Sequence, residues 1–137
     1  MSQIHALAAT EANGLFQPFS CDPGPLGDEQ VEIAIAYCGV CHSDLSMRNN
    51  EWQFTQYPFV PGHEAIGKVV AVEPHAKAVS GSPSGSPAAV ARMLEFAARH
   101  GIAPVVEAFP MSQANQALEH LEAGKARYRI VLKNDLG

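Results

Sequence analysis

Two short segments hold most of the side chains in this sequence that can do chemistry. Cys38-Gly39-Val40-Cys41-His42-Ser43-Asp44 brings together two thiols, an imidazole, a hydroxyl and a carboxylate, and Gly62-His63-Glu64-Ala65-Ile66-Gly67 adds a second imidazole and carboxylate. Thiolate, imidazole and carboxylate together are the donor types of zinc. A bare C-x-x-C also has other readings: a redox dithiol, half of a zinc knuckle, or two cysteines packed as small hydrophobes. The redox reading lacks the strand-then-helix setting of a thioredoxin-like motif. A four-thiolate knuckle lacks thiols, since Cys21 is the one further cysteine. His63 alone reads as a structural histidine; next to Glu64, between two glycines and downstream of Cys41, it reads as a ligand. His42, Ser43 and Asp44 are consecutive, which prevents them from converging on one reacting atom as a hydrolytic triad, and no G-x-S-x-G elbow occurs.

These residues need elements to hold them. Val31, Ile33, Ile35 and Tyr37 alternate with Glu32, Ala34 and Ala36, the pattern of a half-buried strand leading into Cys38. Lys68 to Val72 is a second strand candidate after Gly67, and Pro18, Pro23, Gly24, Pro25 and Gly27 punctuate the chain between early strands. Short strands with turn punctuation predict a barrel or sandwich. The character changes at Ser80, where Ser-Gly-Ser-Pro occurs twice in succession up to Pro87. Beyond it the pattern is helical: Ser86 caps, Pro87 suits the first turn, Val90, Met93, Leu94 and Ala97 share a face, and Gly101 stops the helix. A second helix is predicted with Ser112 as cap, Ala114, Ala117, Leu118 and Leu121 as apolar stripe, and Gly124 as terminator. Val105 to Phe109 and Tyr128 to Leu132 read as strands flanking it. The fold class expected is α+β, mainly β, with helices appended to a β core.

Composition narrows the function. The chain has 137 residues, a formal net charge of −5, 47% hydrophobic and 17% charged residues, which fits one soluble domain with a real core. Nine Lys and Arg with no basic run argue against a nucleic-acid partner or an anionic membrane surface. No apolar stretch reaches the ~20 residues that span a bilayer, and Met1 to Ala9 lacks the character of a signal peptide. The expected location is cytoplasmic, and three cysteines suit a reduced compartment.

The paired segments resemble the zinc signature of the zinc-dependent medium-chain alcohol dehydrogenases, and Tyr37 to Leu45 is most similar to their cinnamyl-alcohol-dehydrogenase-like branch. Met93 to Ala98 and Gly124 to Leu132 resemble the closing segment of the same family, so the likeness runs from Ile4 to Leu132. It implies a GroES-like, partly open β-barrel in which zinc is held by Cys41, His63 and a second cysteine, with Glu64 beside the metal and able to ligate it. Zinc acts in that family as a Lewis acid on an alcohol whose hydride passes to a nicotinamide. By the same resemblance Ser43 relays the alcohol proton, Asp44 orients His63, Trp52 and Phe54 line the substrate pocket, and His42 and Arg129 face the pyrophosphate of NADP(H).

The family pattern is incomplete here. No two glycines stand two positions apart, so the phosphate-binding turn of a Rossmann unit cannot be written. The four-cysteine structural-zinc lobe and the second catalytic cysteine are missing as well. The chain is therefore expected to be a single catalytic domain assembled from segments 1–79 and 80–137, joined at the Ser-Gly-Ser-Pro repeat. Cys38 or Cys21 could supply the missing thiolate, or water could complete the zinc tetrahedron. The expected function is the zinc and substrate domain of an NADP(H)-linked alcohol dehydrogenase, interconverting a small primary alcohol and aldehyde, without dehydrogenase turnover in this form. The alternatives are a non-catalytic zinc-binding or scaffold module and a weak zinc-dependent hydrolase of activated esters. Apolar surface freed from a cofactor domain would favour oligomers.

Overall fold

The computed structural model describes residues 3–76 and 86–136. Most of the Ser-Gly-Ser-Pro repeat, 80–85, lies outside the described residues. Among the described residues six strands form two open sheets. A hairpin-like pair, β1 (Ile4–Ala8) and β2 (Gln17–Cys21), stands beside a sheet of β3 (Val31–Val40), β4 (Glu64–Val72), β5 (Val106–Pro110) and β6 (Arg129–Lys133) in the order β4-β3-β6-β5. The architecture is mainly β, with three α-helices among the described residues: α1 (His42–Arg48), α2 (Pro87–Arg99) and α3 (Ala114–Glu122). Strands from both sides of the repeat share the larger sheet, because β6 pairs antiparallel with β3 and parallel with β5. The second strand pair is closed by α3, which crosses between β5 and β6.

Pro18 lies inside β2, opposite Leu7, and not in a break between strands as its type suggests. A two-stranded sheet tolerates this, since a strand with one partner has a free side where the missing N–H is not needed. The strand predicted from Lys68 begins earlier, at Glu64. Gly67 sits within it because a Cβ there would meet the Ala34 carbonyl and Ile33 Cγ2, so glycine marks a close backbone approach and not a turn.

The alternation along β3 holds the strand but not the face. The register against β4 slips between Glu32 and Ile33 and again between Ile35 and Tyr37. The extra residue is Val70 of β4 at the first slip and Ala36 of β3 at the second, so the second reverses which parity of β3 points inward. Beyond it Tyr37 is 44% exposed while Cys38 and Val40 are buried; Ile33, ahead of it, is also 44% exposed. The core gathers these two with Ala9, Phe16, Leu45, Ala114, Ala117, Leu118, Ile130 and Leu132, joining β3, β6, α1 and α3. Asn115 ties α3 to the β1–β2 side by exchanging two hydrogen bonds with the Phe16 backbone, both at 2.9 Å.

The helices divide similarly. Ser86 caps α2, accepting from the Ala89 N–H at 3.2 Å, and Gly101 beyond it takes φ +64°. The expected buried face of α2 is not buried: Met93 and Leu94 are exposed together with Phe96. Ser112 is not the cap of α3. It lies in a 3-10 turn, Met111–Gln113, before the helix, and its hydroxyl donates to Asp135 at 2.6 Å. Ala114, Ala117 and Leu118 are buried as the stripe requires, and Gly124 follows the helix at φ +67°. The accessible surface of 9638 Å² exceeds the roughly 6,900 Å² of a compact monomer of this mass. The exposed residues include large apolar ones, Ile66, Val69, Val70 and Val72 of β4 among them.

Candidate metal centre

The site is built where β3 ends, α1 begins and β4 starts. Helix α1 was not expected, since the first eighty residues read as strands and loops. Its sequence, HSDLSMR, is short and poor in helix formers, but Asp44 stabilises its first turn. Placed at the third helical position, the Asp44 carboxylate accepts the Cys41 N–H on Oδ2 at 3.1 Å, the reciprocal half of a capping box. Its other oxygen, Oδ1, accepts the Gly62 N–H at 3.0 Å and faces His63 Nδ1 at 3.3 Å. One buried carboxylate, 3% exposed, thus clamps the turn after β3 to the turn before β4.

That clamp orients His63. With Nδ1 directed at Asp44, Nε2 faces the other way, 3.5 Å from Cys41 Sγ and 3.6 Å from Glu64 Oε1. Zinc bonds of about 2.3 Å to sulfur and 2.0–2.2 Å to nitrogen or oxygen place two ligands of a tetrahedral ion roughly 3.4–3.6 Å apart. The Cys41–His63 and His63–Glu64 spacings each suit two ligands of such an ion, although Glu64 stands outside the group of donor atoms that all lie close to one another. Cys41, Asp44 and His63 also form a cluster whose nearest ligand atoms lie within 4.8 Å, but both Asp44 oxygens accept backbone N–H groups, which leaves it as the group behind the histidine. The imidazole side chain is 51% exposed, so the donor face opens to solvent.

The remaining residues stand in four places. Ser43 Oγ lies 3.1 Å from Cys41 Sγ, within the cluster. Arg129, from β6, forms an ion pair with Glu64 Oε2; the hydrogen bond to Glu64 holds the guanidinium pKa above its ordinary value, against a smaller opposing effect of burial. His42 is exposed at the start of α1. Trp52 and Phe54 stack on each other at 5.9 Å in the turn after α1, and both are more than half exposed.

The two further cysteines are elsewhere. Cys38 is buried in the core, and Gly62, at φ +104°, is the neighbour that makes room for it, since a Cβ there would lie 2.5 Å from the Cys38 sulfur. Burial pushes the Cys38 thiol pKa up, and the carboxylates of Asp44 and Glu64 add to this, so the thiol stays protonated. Cys21 lies in β2, opposite Ile4. Two parts of the site went unread in the sequence: the Gly62 N–H that fixes Asp44, and the ion pair that engages Arg129. Both join segments far apart in sequence, and neither had a local signal.

Residues 27–116 match the family profile described as the alcohol dehydrogenase GroES-like domain. The chain is 64% identical over 69 residues to aldehyde reductase AdhA of Synechocystis sp., covering 50% of this chain and 20% of that protein. It is 54% identical over 65 residues to probable cinnamyl alcohol dehydrogenase 9 of Oryza sativa, covering 47% and 18%. Among solved structures, a cinnamyl alcohol dehydrogenase of Sorghum bicolor aligns with a TM-score of 0.52 at 37% identity, over 59% of this chain and 23% of that one. A cinnamyl alcohol dehydrogenase of Helicobacter pylori, solved with NADP(H), gives 0.52 at 32% identity over 57% and 22%. The chain spans about a fifth of the length of the curated relatives it matches. No helix among the described residues is long and apolar enough to cross a membrane. With two-thirds of its residues matched by one profile and a mainly β fold of two open sheets, this chain belongs to the alcohol dehydrogenase GroES-like domain family.

Proposed function

We propose that the chain is the zinc and substrate domain of an NADP(H)-linked alcohol dehydrogenase acting between a small primary alcohol and its aldehyde. The observation that carries the reading is the spacing of Cys41 Sγ, His63 Nε2 and Glu64 Oε1, 3.5 and 3.6 Å about the imidazole nitrogen. These three residues would hold the metal. Zinc bound there supplies Lewis acidity, which makes an alcohol hydroxyl easier to deprotonate. Asp44 keeps the proton of His63 on Nδ1 and raises the basicity of Nε2. Ser43, at the cluster's edge, is placed to pass the hydroxyl proton outward. Glu64 has one oxygen toward the imidazole and the other on Arg129, so Arg129 must release Glu64 before it meets a cofactor phosphate, the role the family likeness gives it with His42. Trp52 and Phe54 form an exposed aromatic pair suited to a flat substrate.

The domain reading is a single unit made from 1–79 and 80–137, supported by the strand order that interleaves them. The open donor face lacks the dry surroundings that strengthen metal electrostatics, and the chain has no G-x-G turn; both support the absence of dehydrogenase turnover by this chain alone. The exposed apolar residues of β4 and α2 favour self-association. The test is metal content after mild purification. The protein is expected to bind one zinc and Cys41→Ala to lose it, whereas equal zinc in both would overturn the ligand set. Robust NADP(H)-dependent oxidation of a benzylic alcohol by this chain would overturn the expectation of inactivity.

A further inference from the structure

An apolar space lies behind the metal cluster, between the strands of the open sheets and α3. The space has a volume of about 270 Å³ and is walled chiefly by Leu7, Phe16, Val40, Leu118 and Leu132, with Ala114 as a small side chain facing it. We propose that it binds a small uncharged hydrocarbon of two fused rings, the size of naphthalene.

Two observations fix that chemistry. The first is the polar inventory of the wall. Asp44 reaches it, but its oxygens accept from the Cys41 and Gly62 backbones. Asn134 reaches it, donating to the Ile35 carbonyl at 2.8 Å and accepting from the Leu136 N–H at 3.0 Å. His5 is exposed and meets Ser20 Oγ at 3.0 Å through Nδ1. No buried side-chain nitrogen or oxygen among the described residues is left without a partner. The Cys38 thiol also lines the space and donates to the Gly39 carbonyl at 3.6 Å, so apart from His5 Nε2 at the exposed rim the wall has little to offer a polar or charged guest in place of water, whereas a hydrocarbon gains apolar burial. The second observation is size. An enclosed apolar cavity of about 150 Å³ accepts benzene; this space of about 270 Å³, open to solvent on the side of Ile4 and Val60, has room for a bicyclic ring system. Cys41, His63 and Glu64, the proposed metal ligands, do not line it, so it goes beyond the dehydrogenase reading.

The test is naphthalene added to the 137-residue chain in the presence of a chelator, which separates the outcome from zinc binding. At ten times the dissociation constant the folded-to-unfolded ratio should rise elevenfold, a Tm increase of about 5 °C for a chain of this length. Intermolecular NOEs should run from the naphthalene protons to the methyl groups of Val40, Leu118 and Leu132. Ala114→Leu fills the space and should abolish the Tm shift while the variant stays folded. If that variant fails to fold, the NOEs on the unaltered chain decide. NOEs to Met93 and Phe96 on the exposed face of α2, a Tm shift that survives Ala114→Leu, or no shift at saturation would each overturn the proposal.

Discussion

Asp44→Asn separates the two tasks that one carboxylate performs. The carboxylate presents two acceptors, Oδ2 to Cys41 N–H at 3.1 Å and Oδ1 to Gly62 N–H and His63 Nδ1 at 3.0 and 3.3 Å. An amide has one acceptor and one donor end, so neither orientation satisfies all three. With its oxygen toward Gly62 and His63, its NH2 points at the Cys41 N–H, and the first turn of α1 loses its cap. With its oxygen toward Cys41, its NH2 opposes the Gly62 N–H and donates to His63 Nδ1, which moves the imidazole proton to Nε2 and blocks that nitrogen as a ligand. Because Asp44 is 3% exposed, water cannot repair either loss. A buried donor left unpaired costs about 1–3 kcal/mol. With an unfolding entropy near 2.1 cal/mol/K per residue, this corresponds to roughly 3–10 °C in Tm. Zinc affinity should fall by about 10–100-fold, the usual effect of removing the group behind a histidine ligand. Thermal unfolding of metal-free protein reads the first quantity, and competition with a chromophoric chelator reads the second. Zinc affinity within twofold of the parent would refute the orienting role, and an unchanged Tm would refute the clamp.

Two shorter predictions concern the scaffold. Gly67→Ala sets a Cβ against the Ala34 carbonyl and Ile33 Cγ2, forcing β3 and β4 apart; a loss of about 1–3 kcal/mol is expected in urea unfolding. The Asp135 carboxyl pKa is held down, first by the Ser112 hydroxyl and then by the Ser112 N–H. A carboxyl with a lowered folded-state pKa contributes stability above its unfolded pKa and loses it as pH falls through the folded value. Ser112→Ala should therefore lower Tm near neutral pH, with the gap to the parent closing as the solution is acidified through the carboxylate range; a gap independent of pH would contradict this.

Local signals were legible and long-range geometry was not. Ser86, Pro87 and Gly101 delimit α2 by short-range chemistry, so the helix was readable, yet burial of its apolar face depends on a partner that the helix sequence cannot specify. The approach of Cys41 to His63 was suggested by two short segments with characteristic spacing, whereas the place of Asp44 in the same group and that of Glu64 at its edge depend on the fold. Helix α1 escaped because seven residues show less than two full turns of periodicity and its caps are a cysteine and an aspartate, not the usual serine and glutamate. Cys38 is the instructive residue. Along β3 it has the parity opposite to Ile33 and Ile35, and uninterrupted alternation would point it away from the core. The register slip between Ile35 and Tyr37 reverses the parity, turns the Cys38 thiol inward against Gly62 and leaves Tyr37 outside. That slip depends on where β4 approaches most closely, at Gly67 against Ala34, a contact between segments far apart in sequence. The two cysteines of one C-x-x-C therefore serve opposite ends: the bulged strand buries Cys38 as a protonated core thiol, and Cys41, beyond the strand's end, is left beside the imidazole.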